Sequence, residues 1–325
     1  MKGRPNIYKS IKPEGFGRSL NILYRIIIIL LLLIGSIIPG NGQDFKYYTQ
    51  YMFNGLAINP AYAGSHDFIA ITGNIREQWV GIKGAPSTQT ISAHSPILND
   101  QFGLGLIVIN DKVGVVSQQE VSVNYSYRLR FPGYNLALGL KLGFNSLKSR
   151  FDELILDDEA DANFQNNKTA FLPVVGIGAF LKTNQYYVGL SVPHLYKFVH
   201  KSYEDLPIDQ NMLIFLTGGY IYTINNDFKL KPSFLAKTHF GSVFEMDLNT
   251  NVYYKDDYCI GLSYKSFNSL AIILEIGFNK TYYIGYSYDL ATTKLIKHQT
   301  GTHEISFNVY LNKKDKTKII NPRYF

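Results

Sequence analysis

Beyond residue 43 the chain alternates apolar and polar side chains with a period of two, and no sustained stripe of 3.6-residue period appears. The stretch 136–144 illustrates the pattern, with Leu136, Leu138, Leu140, Leu142 and Phe144 on one face and Ala137, Gly139, Lys141 and Gly143 on the other. A period of two belongs to a β-strand with one apolar face. The pattern therefore predicts an all-β protein.

Such runs follow one another along the whole chain without a domain break. They span 67–79, 87–97, 102–110, 118–130, 134–147, 171–182, 185–192, 211–223, 227–239, 242–254, 257–266, 269–278, 281–290 and 302–311. Every second connection is a tight turn, such as 132–133 or 279–280. Most of the others are longer, at 80–86, 111–117, 148–170, 193–210 and 291–301. This alternation is typical of an outer-membrane β-barrel.

A soluble β-sandwich would show the same alternation, and composition helps to separate the two. The chain has 25 Tyr, 21 Phe and 27 Gly but one Trp, a mix suited to strands. Tyrosine pairs stand at strand ends, as at Tyr186-Tyr187 and Tyr282-Tyr283, where the aromatic girdles of a barrel lie. We predict a 14-stranded antiparallel outer-membrane β-barrel over 67–311, with short periplasmic turns, longer extracellular loops and a periplasmic tail at 312–325.

The face opposite the apolar one would line the barrel interior. It collects Arg76, Asn124, Arg128, Arg130, Lys141, Lys229, Lys231, Lys237, Glu245, Asp247, Lys265, Glu275 and Glu304. Both signs of charge are present, so cross-strand pairing and an open aqueous pore both remain open.

The first 42 residues have the features of a secretory signal peptide. They carry six basic residues and one acidic residue, which is most of the formal charge of +7. An apolar run at 26–34 leads to small residues at Gly40 and Gly42, and cleavage is expected before Gln43. The alternative is an uncleaved membrane anchor, which needs about 20 apolar residues. The rest is nearly neutral, so no nucleic-acid partner is expected. We expect an outer-membrane protein with both mature termini in the periplasm.

The segment 43–66 precedes the first strand and is rich in aromatic residues. Asn59-Pro60 favours an extended backbone and breaks a helix, and Gly64 permits a turn before the first strand. The segment is either a turn that leads the chain into the barrel wall, or an ordered plug or periplasmic docking strip. Its candidate partner-binding residues are Tyr51, Met52, Phe53, Asn59, Pro60, Tyr62 and Gly64.

Motifs in this segment resemble a known family. The runs Gln50-Tyr51-Met52-Phe53-Asn54 and Asn59-Pro60-Ala61-Tyr62-Ala63-Gly64, followed by Arg76-Glu77-Gln78-Trp79, Gly285-Tyr286-Ser287-Tyr288-Asp289-Leu290 and His303-Glu304-Ile305, closely resemble the type IX secretion membrane proteins PorP/SprF. That resemblance implies an outer-membrane barrel that works with the secretion and gliding machinery. Its partners would be adhesin-like surface cargo with a C-terminal sorting domain, and other secretion components. Asn321-Pro322 stands where this family leads us to expect Cys-Pro, so a role for that cysteine does not transfer.

Signals for an enzyme or a metal site are weak. The seven histidines show no metal-ligand spacing, and no G-x-S-x-G elbow or P-loop occurs. The acidic stretch 157–163 imitates a calcium loop but lacks its Gly and its final Glu. We therefore expect no enzyme activity, no cofactor and no metal, although weak calcium binding at 157–163 remains open.

The two longest loops are the remaining candidates for partner contact. One is acidic, with Asp157, Asp158 and Glu159, and the other offers His194, Tyr196, Phe198 and Tyr203. The leading hypothesis is a non-enzymatic secretion and surface-anchoring component embedded in outer-membrane lipid. The alternatives are a passive solute channel and a barrel enzyme acting on lipid.

Overall fold

The computed structural model describes residues 48–98, 100–153, 167–195, 212–239, 244–266 and 268–311. These residues form 14 strands. The strands are β1 (Ile69–Glu77), β2 (Ser87–Ile97), β3 (Phe102–Val113), β4 (Val116–Phe131), β5 (Tyr134–Ser149), β6 (Lys168–Lys182), β7 (Tyr186–Val192), β8 (Leu213–Tyr220, continued by Tyr222–Thr223), β9 (Phe228–His239), β10 (Phe244–Tyr254), β11 (Tyr258–Lys265), β12 (Ser269–Phe278), β13 (Tyr282–Ala291) and β14 (Thr302–Leu311).

Each strand pairs antiparallel with its neighbours in sequence, and the sheet closes on itself. In the closing pair, β1 runs beside β14 with Ile69 opposite Leu311 and Glu77 opposite His303. Closure removes the free edges whose backbone groups would lack hydrogen-bond partners in lipid. The prediction of a 14-stranded antiparallel barrel is confirmed.

The two faces of the barrel wall have opposite polarity. On β5, Leu138 points outward with 49% of its surface exposed, whereas Lys141 points inward and is buried at 2%. On β4, Val121, Val123 and Tyr125 are exposed outward. An apolar exterior and a polar interior are the reverse of a water-soluble protein and are expected of a barrel that faces lipid. Among the described residues no helix is both long and apolar enough to cross a membrane.

Exposed aromatic side chains form a band at the end of the barrel that carries the short turns. The band comprises Phe131, Tyr134, Tyr186, Tyr220, Tyr222, Phe228, Tyr254, Tyr258, Phe278 and Tyr282. Aromatic rings prefer the boundary between lipid and water because they combine an apolar body with a polar edge. The band therefore marks one membrane interface.

The connections alternate as expected, with one correction. Tight turns with positive φ at two successive residues close the β10–β11 hairpin at Lys255-Asp256 and the β12–β13 hairpin at Asn279-Lys280. The prediction of a longer connection at 111–117 is wrong. Strand β3 continues to Val113, β4 begins at Val116, and Gly114 takes φ +58° in the turn between them. The longest connections, β5–β6 and β7–β8, leave the barrel at the opposite end from the tight turns, which we call the loop end.

Candidate functional site: a segment inside the barrel

The segment from Tyr48 to His66 lies inside the barrel and is buried throughout. It folds as three single-turn 3₁₀ helices, Tyr51–Phe53, Gly55–Ala57 and Pro60–Tyr62. Asn59 is extended, and its side-chain Oδ1 accepts a 2.9 Å hydrogen bond from the backbone N–H of Ala61. Pro60 follows at the first helical position, where its missing N–H costs nothing. We call residues 48–66 the plug.

The N-terminal part of the plug is held by a group of buried charges near the loop end. The backbone N–H groups of Thr49 and Gln50 donate to the two carboxylate oxygens of Glu304, at 2.7 and 3.0 Å. The Thr49 hydroxyl bonds Asp289 at 2.7 Å.

Two cations complete this group. Arg76 bridges the acids, at 3.0 Å to Asp289 and 2.9 Å to Glu304. Lys265 lies 2.8 Å from Asp289 and donates to the Thr49 hydroxyl oxygen at 2.6 Å. Two cations therefore balance two acids around the N-terminal part of the plug, which satisfies the requirement that buried charges be paired.

The middle of the plug contacts the barrel wall on opposite sides. Asn249 on β10 donates to the Tyr51 hydroxyl oxygen at 2.7 Å. Ser92 on β2 donates to the side-chain oxygen of Asn54 at 3.0 Å.

The C-terminal part of the plug is bonded near the tight-turn end. The Asn59 side chain donates to the carbonyl oxygen of Ala179 at 3.0 Å. Ser126 on β4 donates to the carbonyl oxygen of Ala63 at 2.7 Å, and Lys182 on β6 donates to the carbonyl oxygen of Ser65. Hydrogen bonds to β2, β4, β6, β10 and β14 show that the plug bridges the lumen rather than lying against one strand.

Glycines on the inner face of the wall allow the plug backbone to approach. A Cβ added at Gly103 would lie 2.0 Å from the carbonyl oxygen of Ala63, and one at Gly139 would lie 2.1 Å from the nitrogen of Ala61. A Cβ at Gly178 would lie 2.1 Å from the side-chain oxygen of Asn59. Glycine inside a strand marks such close approaches of another backbone. The wall is therefore shaped to hold the plug.

The plug runs along the barrel axis, and this bears on the termini. Thr49 lies beside Asp289, two residues before the end of β13, at the loop end. Ser65 lies beside Lys182, the last residue of β6, at the tight-turn end. The described chain thus begins toward the loop end and finishes with Leu311 at the other. The expectation that both mature termini lie in the periplasm stays a prediction.

Other luminal charges are paired with one another. Glu120 on β4 lies 2.6 Å from Lys141 and 2.8 Å from His194, and Lys237 on β9 lies 3.1 Å from Asp247. Of the two alternatives, cross-strand pairing describes these groups better than an open aqueous pore does. Within the described part of the chain, no three His, Cys, Asp or Glu side chains gather as a metal site would require.

The predicted partner-binding residues divide into three sets. Those of the N-terminal segment are buried in the plug, and in this conformation they are not available to a partner; they are Tyr51, Met52, Phe53, Asn59, Pro60, Tyr62 and Gly64. His194 is half-buried and bonds Glu120. The remaining six lie outside the described residues: Asp157, Asp158, Glu159, Tyr196, Phe198 and Tyr203.

Sequence reasoning missed Thr49 and Asp289 as part of the site. Thr49 precedes the quoted motifs, and Asp289 lies within the run 285–290 without a signal that singles it out. Their hydrogen bond joins positions 240 residues apart. The available signal was the glycine on the inner face of strands such as β5, where Gly139 makes room for a backbone that is not part of the wall.

Comparison with known proteins places the barrel in a family. The profile of the type IX secretion system membrane proteins PorP/SprF matches residues 41–309. The chain belongs to this family. As a PorP/SprF protein it is a type IX secretion membrane component, and its barrel fold and family indicate the outer membrane. No curated protein matches the sequence.

Several solved structures are similar to this PorP/SprF barrel. Outer membrane protein Omp33 of Acinetobacter baumannii has 9% identity, covers 76% of this chain and 100% of its own, and gives a TM-score of 0.46. The CymD monoaromatic hydrocarbon channel has 11% identity, with 84% of this chain and 95% of the channel's chain covered, and a TM-score of 0.44. CdiB from Acinetobacter baumannii has 8% identity, with 75% of this chain and 60% of the CdiB chain covered, and a TM-score of 0.41.

Proposed function

We propose that this PorP/SprF protein is a closed, non-enzymatic barrel that anchors secreted surface cargo at the outer membrane and does not conduct solutes. The single observation that supports this is the plug, which is buried along its length and bonded to strands around the lumen. A solute channel needs a continuous aqueous path, whereas an anchor needs only a rigid body in the membrane with loops for contact.

In this proposal residues 1–42 act as a cleaved signal peptide and the long loops face the exterior. The cargo would be an adhesin-like protein with a C-terminal sorting domain, and the other partners would be components of the secretion and gliding machinery. The contacts would come from the β5–β6 and β7–β8 connections, whose acidic and aromatic residues suit an interface. The plug residues are buried in this conformation, which is why the proposal assigns the contact to the loops.

The closed state is tested by conductance. The purified protein should conduct little in planar bilayers. A variant that lacks residues 48–60 should conduct steadily, because water can fill the emptied lumen, which is lined by polar groups. Large, steady conductance from the intact protein would overturn the closed-barrel proposal in favour of a passive solute channel.

The anchoring role is tested by where the cargo goes. Replacing 154–166, 196–211 or both with Gly/Ser linkers should leave the barrel folded in the outer membrane but release the surface cargo into the medium. A control replaces the exposed turn at Pro132-Gly133 with Asn-Gly, which preserves the hairpin at the other end. Retention of the cargo at wild-type level by the double-loop variant would refute anchoring through these loops.

A further inference from the structure

A small pocket opens at the loop end of the lumen, above the buried charges that hold Thr49. It lies between the end of β1, the β11–β12 turn and the connection before β14. Its lining consists of Arg76, Trp79, Lys265, Asn268, Ser269, Asp289, Ala291, Thr293, Leu295 and Thr302. All of these lie in described parts of the chain, and the family assignment gives none of them a ligand.

The charges of this mouth pocket favour an anion. Arg76 and Lys265 line it together with a single acid, Asp289. Asp289 already accepts hydrogen bonds from Thr49, Arg76 and Lys265. Glu304, the other acid of the group, is fully buried and accepts from the backbone N–H groups of the plug. The four charges balance as a group, but Glu304 is not part of the pocket lining, so the lining itself presents two cations and one acid.

Lys265 is the group that can reach a ligand. Its ammonium has three N–H donors, and the described residues accept two of them, the Thr49 hydroxyl at 2.6 Å and Asp289 at 2.8 Å. One donor is left for an acceptor in the pocket. Hydrogen bonds from a cation to a carboxylate are about twice as strong as neutral ones, so an anionic oxygen is the favoured acceptor.

One wall of the pocket is apolar and fixed in place. Trp79 has φ +46°, an unusual backbone conformation for a bulky residue, and its backbone N–H donates to the Thr302 hydroxyl oxygen at 3.2 Å. The backbone N–H of the next residue, Val80, donates to the carbonyl oxygen of Gly301, in the connection before β14, at 2.9 Å. Leu295 also lines the pocket and has 38% of its surface exposed. A strained residue held by its surroundings is a mark of a binding site.

We propose that the mouth pocket binds a peptide carboxylate that is flanked by an apolar side chain. The carboxylate accepts from Lys265, and the apolar side chain packs on Trp79 and Leu295. A cationic ligand does not fit, because it would lie beside Arg76 and Lys265, and the single acid of the lining, Asp289, already bonds both of them. Inorganic phosphate carries more charge than one free donor can satisfy, and it leaves the apolar wall uncovered.

Two sources supply this chemistry, a chain end and an acidic side chain. The proposal deepens the anchoring function because it gives a partner a binding subsite at the loop end, but binding to the purified protein does not depend on cargo retention. Failure of the subsite and failure of anchoring are therefore separate results.

The chain has one Trp, so fluorescence excited selectively at tryptophan reports on this pocket without the signal of the 25 tyrosines. The full-length protein in detergent is titrated with N-acetyl-leucyl-phenylalanine, with its C-terminal amide, and with a blocked peptide that contains one internal glutamate between phenylalanines. Isothermal titration calorimetry measures binding in parallel and also serves for variants. Sodium acetate and sodium phosphate serve as anions without an apolar group.

Saturable binding of either carboxylate peptide, with at least tenfold weaker binding of the amide and of both simple anions, is expected. The free acid indicates a chain end, and the internal glutamate indicates a side chain. Lys265→Met should weaken binding at least tenfold, whereas Lys297→Met, at an exposed lysine outside the pocket, should not change it. Because Lys265→Met also removes a buried cation, Leu295→Ser is a second variant that leaves the charges intact and should weaken binding severalfold.

Three results would overturn the proposal. They are equal binding of acid and amide, unchanged binding by both Lys265→Met and Leu295→Ser, and no heat or fluorescence change with any peptide at millimolar concentration. Folding of each variant is checked by heat-modifiable migration in gels.

Discussion

Replacing Gly139 by Ala tests whether the plug occupies the lumen as described. The added Cβ would lie 2.1 Å from the nitrogen of Ala61 and 2.5 Å from the carbonyl carbon of Pro60. Ordinary contacts at a Cβ begin near 3.4 Å, so the plug backbone has to move by about 1.3 Å. The wall is fixed by strand pairing on both sides of Gly139, and the plug is the part that moves.

The cost of this movement follows from the bonds around Ala61. Asn59 bonds both the Ala61 N–H at 2.9 Å and the Ala179 carbonyl at 3.0 Å, and Ser126 bonds Ala63 at 2.7 Å. Loss of two or three such bonds costs about 2–3 kcal/mol at roughly 1 kcal/mol each. Because every 1.4 kcal/mol is a factor of ten, the population with a displaced plug rises roughly 30- to 140-fold.

The assay is the open probability in planar bilayers, together with the thermal midpoint in detergent. The matched control is Gly73→Ala on β1, which faces lipid and where an added Cβ meets nothing within 4 Å. Gly139→Ala should open more often and unfold at lower temperature, whereas Gly73→Ala should behave as wild type. Equal behaviour of the two variants would show that the plug backbone does not pass over Gly139.

Three further substitutions probe the plug and the wall. Thr49→Val keeps the shape of the side chain but removes the hydroxyl that bonds Arg76, Lys265 and Asp289. Brief channel openings should therefore increase in bilayer recordings. The control Thr250→Val, on the lipid-facing side of β10, should not alter them. Leu138→Arg places a charge on the lipid face and should lower the free energy of unfolding, measured by urea titration in micelles, by up to about 2–4 kcal/mol at the membrane midplane. Lys141→Ala removes the lysine that lies 2.6 Å from the buried Glu120 carboxylate and should cost about 3–5 kcal/mol in the same titration. A cost below that of Leu138→Met would contradict the pairing.

The strands could be predicted because every barrel strand separates lipid from lumen. Its side chains therefore alternate between apolar and polar with a period of two. The prediction failed at 111–117, where β3 and β4 continue beyond their last outward-facing apolar pair, Val108 and Val121. There Lys112 is paired with Ser117 and Val113 with Val116. Where a strand extends into water, neither face needs to be apolar, and the alternation that marks a strand is lost even though the backbone pairing continues.

The site was less predictable than the wall. Alternation assigns Arg76 and Glu304 to the interior, and they do face each other across the β1–β14 pair. It does not reveal that Thr49 and Gln50 complete their hydrogen bonds, because those residues precede the first strand and follow no period. The aromatic residues of the segment indicated that it was ordered, but the same residues would suit a periplasmic docking strip.

The way in which the plug is held explains why closure and barrel stability can be separated. When the plug leaves, water replaces it, and the luminal groups exchange protein hydrogen bonds for bonds to water at a net cost of about 1 kcal/mol each. Arg76, Asp289 and Glu304 remain bonded to one another after Thr49 departs, so no charge is left buried and alone. The 14-stranded wall keeps its own backbone pairing throughout. Closure therefore depends on the number of weak contacts along the plug, and single substitutions such as Gly139→Ala shift its population without unfolding the barrel.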